Sequence, residues 1–285
     1  MLSSVLAGDR TKVLIIEGQS NHDWKTRVTI LKSILSQDSS FEVDVSVTPA
    51  SAESDAWAKW RPQFSKYDVV ISGYNDVHIK GGMRWPREVE KSFEKFVSKG
   101  GGFMAFHEAN NAFAGWREYN KMIGMGWRNA NYGKAVVVKK DESLDIIAAG
   151  SGQNTGHGAR SNVKVTRRAD DHPIYKGLPD SWMAADLEVY RYARGPVEDY
   201  TMLTYAKDEK TKLQFPVEWA TDYGQGRVYV ATYGHVWANT KKPAGIRCAA
   251  FQTILPRAIK WLAKKDPGAV VPKDFPSESK ISLRP

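Results

Sequence analysis

The chain has 285 residues, 42% of them hydrophobic and 26% charged, with a net charge of +9 and a pI near 9.4. That length accommodates one large α/β domain or two small ones with an ample core, and the composition is ordinary for a soluble globular protein. A single cysteine, Cys248, excludes an internal disulfide and a multi-cysteine zinc site, the dispersed Lys and Arg residues read as a solvated surface rather than a nucleic-acid face, and no apolar run approaches the roughly 20 residues of a membrane-spanning helix.

Residues 1–10, MLSSVLAGDR, are too short for a signal peptide. Taken as the remnant of one they make the protein periplasmic; taken as a plain leader they make it cytoplasmic. Val13-Leu14-Ile15-Ile16 then reads as a buried strand, and a helix from about Trp24 to Leu35 sets Val28, Leu31, Ile34 and Leu35 on one face. Glu42 to Val47 alternates as a second strand and Asp68 to Ser72 is a third. In the helix of residues 86–98, Val89, Phe93, Phe96 and Val97 form an apolar stripe, and Gly100-Gly101-Gly102 ends it because glycine takes the left-handed C-cap conformation at little cost. Phe103 to Phe106 has no polar alternation, as expected of a strand buried on both faces, and stops at His107. Alternating strands and helices with short links predict a doubly wound, mainly parallel sheet, whose ligands bind beyond the carboxyl ends of the strands.

The second half changes character. Ala135–Lys139, Asn162–Arg167, Tyr200–Ala206, Leu213–Ala220 and Arg227–Thr232 are strand candidates separated by turn signals, which predicts an antiparallel extension with long loops. A last helix, about Arg247 to Ala263, places Ile254, Leu255, Ala258, Trp261 and Leu262 toward the core and holds Cys248 as a small buried hydrophobe. Residues 266–285 read as an extended tail.

All six histidines fall at predicted loops or strand ends. His22 follows the first strand, His78 the third and His107 the fourth; in a parallel sheet those loops converge on one edge, and His235, after the late strand Val228 to Thr232, joins them. His107 occupies a strand-to-turn position like a nucleophile elbow, with Glu108 and Asn110 beside it. His172 reads as a structural turn residue and His157, in the glycine-rich SGQNTGHGAR, as a flexible loop residue. Asp186, Glu188 and Tyr190 alternate, so on a strand they share one face; Glu188 there is either a general acid or base with a raised pKa or a salt-bridge partner of Arg191 or Arg194. Glu17 and Asp23 are weaker candidates. Trp24, Trp85, Trp116, Trp127, Trp219 and Trp237 lie beside these candidates, suited either to core packing or to stacking on sugar rings.

NHDW (21–24), GGGFMAFH (100–107), DHPIYKGLP (171–179), DLEVY (186–190) and GQGRVYVATYGH (224–235) together resemble the ThuA-like proteins, named for trehalose utilisation, in an order that runs nearly to Trp261. The resemblance implies a flavodoxin-like fold similar to class I glutamine amidotransferases, as a single domain over residues 11–265. In those enzymes a cysteine stands at the elbow where this chain has His107, so glutaminase chemistry is excluded. It implies instead carbohydrate chemistry on 3-keto-glycosides made by a partner oxidoreductase, by isomerisation or epimerisation. The segment between Gly115 and Thr166 is long beside compact members.

The expected site therefore has His107 and Glu188 as acid and base, with His22 and His235 polarising a carbonyl directly or through a divalent metal. Asn110, Asn111, Tyr190 and Trp237 hold the sugar. The expected partners are a small carbohydrate and, as a candidate, a second copy of the chain. The alternatives are a metal-dependent hydrolase of a sugar derivative, with His22, His107, His235 and Glu188 as ligands, and a noncatalytic carbohydrate-binding module.

Overall fold

The structure, a computed structural model, describes residues 10–80 and 82–285; residues 1–9 of the expected leader lie outside the described residues. In chain order the elements are β1 (Thr11–Glu17), α1 (Trp24–Ser36), β2 (Phe41–Val47), α2 (Asp55–Lys59), β3 (Val69–Ser72), α3 (Arg87–Ser98), β4 (Gly102–Phe106), α4 (Arg117–Ile123), β5 (Lys134–Val138), β6 (Leu144–Ile147), β7 (Gly156–His157) and β8 (Ser161–Arg167). They continue with β9 (Ser181–Leu187), β10 (Tyr190–Arg191), β11 (Arg194–Gly195), β12 (Tyr200–Lys207), β13 (Gln214–Tyr223), β14 (Gly226–Ala231), α5 (Ala244–Arg247) and α6 (Ala249–Leu262).

The main path of the large sheet runs β2-β1-β3-β4-β14-β13-β12-β8-β9. β2, β1, β3, β4 and β14 are mutually parallel; from β13 outward each neighbour is antiparallel. The doubly wound, flavodoxin-like sheet with an antiparallel extension is therefore observed. Alternation along each strand sorts the core into two layers. Val13 and Ile15 join Leu31, Ile34 and Leu35 of α1 and Phe251, Ile254 and Leu255 of α6, whereas Leu14 and Ile16 join Val89, Phe93 and Val97 of α3 and Tyr119, Met122 and Ile123 of α4.

Registry sets the functional edge. Ile16 pairs with Ser72, Ser72 with Ala105, and Phe106 with Ala231, so β1, β3, β4 and β14 end nearly level. Because β14 is parallel to β4, the loop that follows it opens on the same edge as the loops after β1 and β4. Residues 266–285 form no helix or strand, and they dock on the body. Met183 N donates to Ser277 O at 2.8 Å, Ala249 N to Ser282 O at 2.9 Å, and Phe275 packs edge-on against Trp182.

Candidate active site

His22 precedes the N-cap of α1. Asp23 accepts from Thr26 N at 3.1 Å and from Thr26 Oγ1 at 2.7 Å, which fixes where the helix starts and so where His22 stands. The backbone N–H of Asp23 donates to Val236 O at 2.9 Å, binding the His22 loop directly to the His235 loop. His107 has φ of +48°, the left-handed region that a residue with a Cβ rarely occupies. The chain there leaves β4 sharply into a single 3₁₀ turn, His107–Asn111, in the manner of an elbow. Gly234, at φ +101°, lets the segment before His235 cross the Phe106 ring, which a Cβ would meet at 2.0 Å.

The three imidazoles meet edge to face. Ring centroids lie 5.1 Å apart for His22 and His107, 4.6 Å for His22 and His235, and 5.3 Å for His107 and His235. One ring nitrogen from each falls within 4.8 Å of the others, so a cation between them is sterically accessible. Hydrogen bonds settle the proton positions. His107 Nδ1 lies 2.8 Å from Thr232 O, a carbonyl that can only accept, so Nδ1 carries the hydrogen and the buried Nε2 presents a lone pair with no protein partner. His22 Nδ1 lies 3.1 Å from Asn21 Oδ1, itself the acceptor for Asn75 Nδ2 at 2.8 Å, so the His22 lone pair is likewise on Nε2. His235 is the reverse: Arg160 Nη1, which can only donate, reaches its Nδ1 at 2.7 Å, leaving the hydrogen on Nε2. Burial lowers the pKa of all three, His107 to about 3, against the opposing pull of the Glu108 carboxylate, so the rings are neutral near pH 7.

Glu188 faces this cluster. Its Oε2 is 3.8 Å from His107 Nε2, and its Oε1 is 3.5 Å from His235 Nε2 and 3.8 Å from His157 Nε2. Burial raises its pKa, against the pull of His157 and Arg160. The carboxylate opens into a cavity of about 480 Å³, lined also by Asn21, Asn111, Trp127, Tyr190 and Trp237, a size suited to a small ligand. Trp127 meets Tyr190 edge-on at 5.1 Å, and Trp237 stacks on His235 at 5.7 Å with 20° between planes.

Beneath the cluster lies a charged foundation. Fully buried Arg27, from α1, donates Nε and Nη2 to the two oxygens of Glu17 at 2.7 Å each, Nη2 to Gly73 O at 3.0 Å, and Nη1 to Glu108. One guanidinium neutralises one charge. Glu108 is held ionised, at about 2, by Arg27 and its imidazole neighbours against the desolvation of its site, whereas burial pushes Glu17 up to about 7. Glu108 also accepts from Ser20 Oγ at 2.5 Å and sits 3.6 Å from His22 Nδ1, so the ion pair anchors the His22 loop. A Cβ on Gly73 would lie 2.1 Å from Glu17 Oε1; glycine there leaves room for the ion pair.

The structure thus gathers His22, His107, His235, Glu188, Asn111, Tyr190 and Trp237 at one place. Asn110 turns inward within the 3₁₀ turn; it is fully buried and off the cavity wall. His78 does not join the convergence: it is exposed, and its loop contributes Val77 instead. The alternation of Asp186, Glu188 and Tyr190 on one strand is corrected, because Asp186 has φ of +50° and β9 stops at Leu187, so Glu188 reaches the cavity from a break between strands. Glu188 is no partner of Arg191 or Arg194. Arg191 reaches Asp208 at 3.9 Å, and Arg194 donates to backbone carbonyls of the 133–153 segment. Trp85, Trp116 and Trp219 pack in the core. His172 packs on Trp261 at 4.8 Å and Cys248 is buried, as the sequence indicates. His157, expected to be a loop residue, is held opposite Tyr190 by the β7–β10 pairing and faces Glu188. With Trp127 and Arg160 it shows that the long segment after Gly115 builds one wall of the cavity. Arg27 and Arg160 carry no motif; only their tertiary partners reveal them.

The sequence profile of a family described as trehalose utilisation, ThuA, matches residues 12–262. The chain belongs to the ThuA family. That membership gives it a carbohydrate-related role. Among solved structures it is similar to a ThuA-like protein from Parabacteroides merdae, 34% identical over 96% of this chain and 98% of the other, with a TM-score of 0.87. It also shares its fold with a ThuA-like protein from Bacteroides uniformis, 18% identical over 98% of this chain and all of the other, at a TM-score of 0.60. No curated protein matches the sequence. Among the described residues no helix is long and apolar enough to cross a membrane.

Proposed function

We propose that this ThuA-family chain moves a proton beside the ketone of a keto sugar, isomerising or epimerising a 3-keto-glycoside. The observation that carries the reading is Glu188: a largely buried carboxylate whose pKa is raised, opposite two imidazole Nε2 atoms at 3.5 and 3.8 Å, in an aromatic-walled cavity. A carboxylate with raised pKa is a stronger base for a carbon acid and still returns the proton near neutral pH.

In the reaction, Glu188 removes the hydrogen on the carbon next to the ketone. That C–H pair becomes the new C=C bond, and the carbonyl π pair moves onto oxygen, giving an enediolate. His235, whose Nε2 carries the hydrogen, donates to the developing oxyanion, and the Nε2 lone pairs of His22 and His107 accept from the neighbouring hydroxyl. Protonation of the same carbon from its opposite face by a solvent proton, with Glu188 passing its own proton to solvent, gives the epimer; delivery from Glu188 to the former carbonyl carbon, with loss of the neighbouring hydroxyl proton to solvent, gives the isomeric ketone. Atoms balance in both, and no co-substrate is required. Trp127, Tyr190 and Trp237 supply faces for a sugar ring, and Asn21 and Asn111 supply amides for its hydroxyls.

The test is incubation with 3-keto-trehalose or a 3-keto-glucoside in D2O, followed by NMR. Deuterium entering beside the ketone with wild type, and lost in Glu188→Gln, supports the reading; hydrolysis without exchange would instead favour the metal-dependent hydrolase, and saturable sugar binding without any chemical change the binding module.

A further inference from the structure

Three features at the base of the cavity remain unexplained by proton transfer alone. First, His107 Nε2 is a fully buried ring nitrogen with a lone pair and no hydrogen-bond partner, aimed at His22 and His235. An unpartnered buried polar atom is costly, and native sites keep one only where something else occupies its direction. Second, His22 and His107 each anchor their Nδ1 hydrogen on an oxygen, Asn21 Oδ1 at 3.1 Å and Thr232 O at 2.8 Å, with the Glu108 carboxylate 3.6 Å behind His22. This is how metal-bound imidazoles are oriented by the groups behind them. Third, one ring nitrogen from each of the three imidazoles lies within 4.8 Å of the other two, with Glu188 across the cavity from them. Ligands about 2.1 Å from a tetrahedral ion sit about 3.4 Å from one another, a spacing the three imidazoles reach by a modest closing of the cluster.

We propose that His22, His107 and His235 bind one divalent transition-metal ion of the zinc or cobalt class through their Nε2 atoms, with the fourth position open to water or substrate and Glu188 beside it, free to act as base. Three imidazoles with an open fourth position suit such ions, whereas magnesium and calcium select oxygen-rich sites. Bound there, the ion supplies a Lewis acid for a sugar carbonyl oxygen. The inference deepens the keto-sugar reading, on which its catalytic meaning rests, and its test is binding of the metal itself.

One contact opposes the ion and makes the proposal specific. Arg160 donates to His235 Nδ1, which places the hydrogen on Nε2; ligation by Nε2 requires the opposite tautomer. The ion and this Arg160 contact are therefore mutually exclusive. Arg160 has an alternative partner in Asp186, whose Oδ2 is already 3.3 Å from the same Nη1. Metal loading moves the His235 hydrogen to Nδ1 and releases Arg160 toward Asp186.

The experiment is isothermal titration of the chelator-stripped protein with Zn2+, with Co2+ as a spectroscopic probe. Wild type binds one equivalent, and Co2+ gives the visible absorption of a four-coordinate nitrogen and oxygen site. His107→Ala and His22→Ala each weaken binding by about 100-fold or more, while Arg160→Met strengthens it by about tenfold through removal of the competing donor. His78→Ala, an exposed histidine outside the cluster, leaves it unchanged. Circular dichroism verifies folding, and the more peripheral His22→Ala serves if His107→Ala does not fold. No saturable binding by wild type, retained affinity in His22→Ala, or an Arg160→Met affinity at or below wild type overturns the proposal. Metal binding without keto-sugar turnover leaves the ion and removes the sugar reading; full turnover by stripped protein that takes up no metal does the reverse.

Discussion

Replacement of Arg27 by methionine tests the foundation of the site. The guanidinium is fully buried and makes two 2.7 Å bonds to Glu17, one bond to Glu108 and one of 3.0 Å to Gly73 O. Methionine fills much of the volume and supplies none of these donors, so two buried carboxylates lose their counter-charge. Breaking a buried pair from one side costs about 3–5 kcal/mol, a large share of the roughly 5–15 kcal/mol that holds a domain folded. With a urea m-value of about 2–3 kcal/mol/M, the midpoint falls by about 1–2 M. The sign with pH is also fixed. Without Arg27 both carboxyls have folded-state pKa values above their unfolded ones, so their contribution is present at acid pH and lost as pH rises through the raised values. The variant is therefore penalised more at pH 8 than at pH 5. Arg27→Met combined with Glu17→Gln and Glu108→Gln recovers most of the loss, because no buried charge remains. A loss below about 1 kcal/mol for Arg27→Met, or no recovery in the triple variant, would refute the assignment of this network as the support of the His22 loop.

Gly234→Ala places a Cβ 2.0 Å from the Phe106 ring at φ +101°; the expected destabilisation is at least about 2 kcal/mol by urea titration, and an unchanged midpoint contradicts the packing described. His107, held at about 3 by burial, refuses a proton that the unfolded chain accepts near its ordinary 6.5. The unfolded state thus binds more protons between those values, and stability falls as pH drops through that window by at most about 1.4 kcal/mol per unit for this group. Urea titrations at pH 7, 6 and 5 should show that slope in wild type and a shallower one in His107→Gln; identical slopes would remove His107 as its source. Trp237 is 48% exposed, stacks on His235 and lines the cavity. Trp237→Ala should raise KM for a keto sugar by about three- to tenfold with kcat nearly unchanged, as expected for loss of about 0.5–1.5 kcal/mol of stacking; a kcat collapse at constant KM would mean that Trp237 acts on chemistry.

Much of this arrangement is legible in the residues because it follows from local rules. Val13–Ile16, Val69–Ile71 and Phe103–Phe106 are short apolar runs that suit a doubly covered parallel sheet, and His22 and His107, which follow the first and last of them, fall at strand ends where such sheets bind ligands, whereas His78, which follows the second, stays exposed. His235 is legible for the same reason once β14 is recognised as a strand, although its parallel pairing with β4 is a tertiary fact. Arg27 was hidden because an arginine on a surface-like helix is ordinary; its meaning depends on Glu17 and Glu108, 10 and 81 residues away. His157 was masked by its glycine-rich setting, since a two-residue pairing with Tyr190 and Arg191 leaves no periodic signal. The DLEVY alternation misled because period-2 patterning assumes extended backbone, and Asp186 leaves it at φ +50°. In the long segment after Gly115, Tyr119, Met122 and Ile123 did carry a helical spacing, and that helix packs where the sequence reading placed only a long insertion.

The proposed function rests on proton exchange between Glu188 and the carbon beside a sugar ketone. The most direct measurement is the rate of deuterium entry at that carbon in D2O, for wild type and Glu188→Gln, on one 3-keto-glycoside. General acid–base catalysis is worth about 10²–10⁴ in rate, so the account predicts exchange by wild type and a loss of that size in Glu188→Gln, with folding intact. Exchange by Glu188→Gln within about tenfold of wild type, or none by wild type, would contradict it.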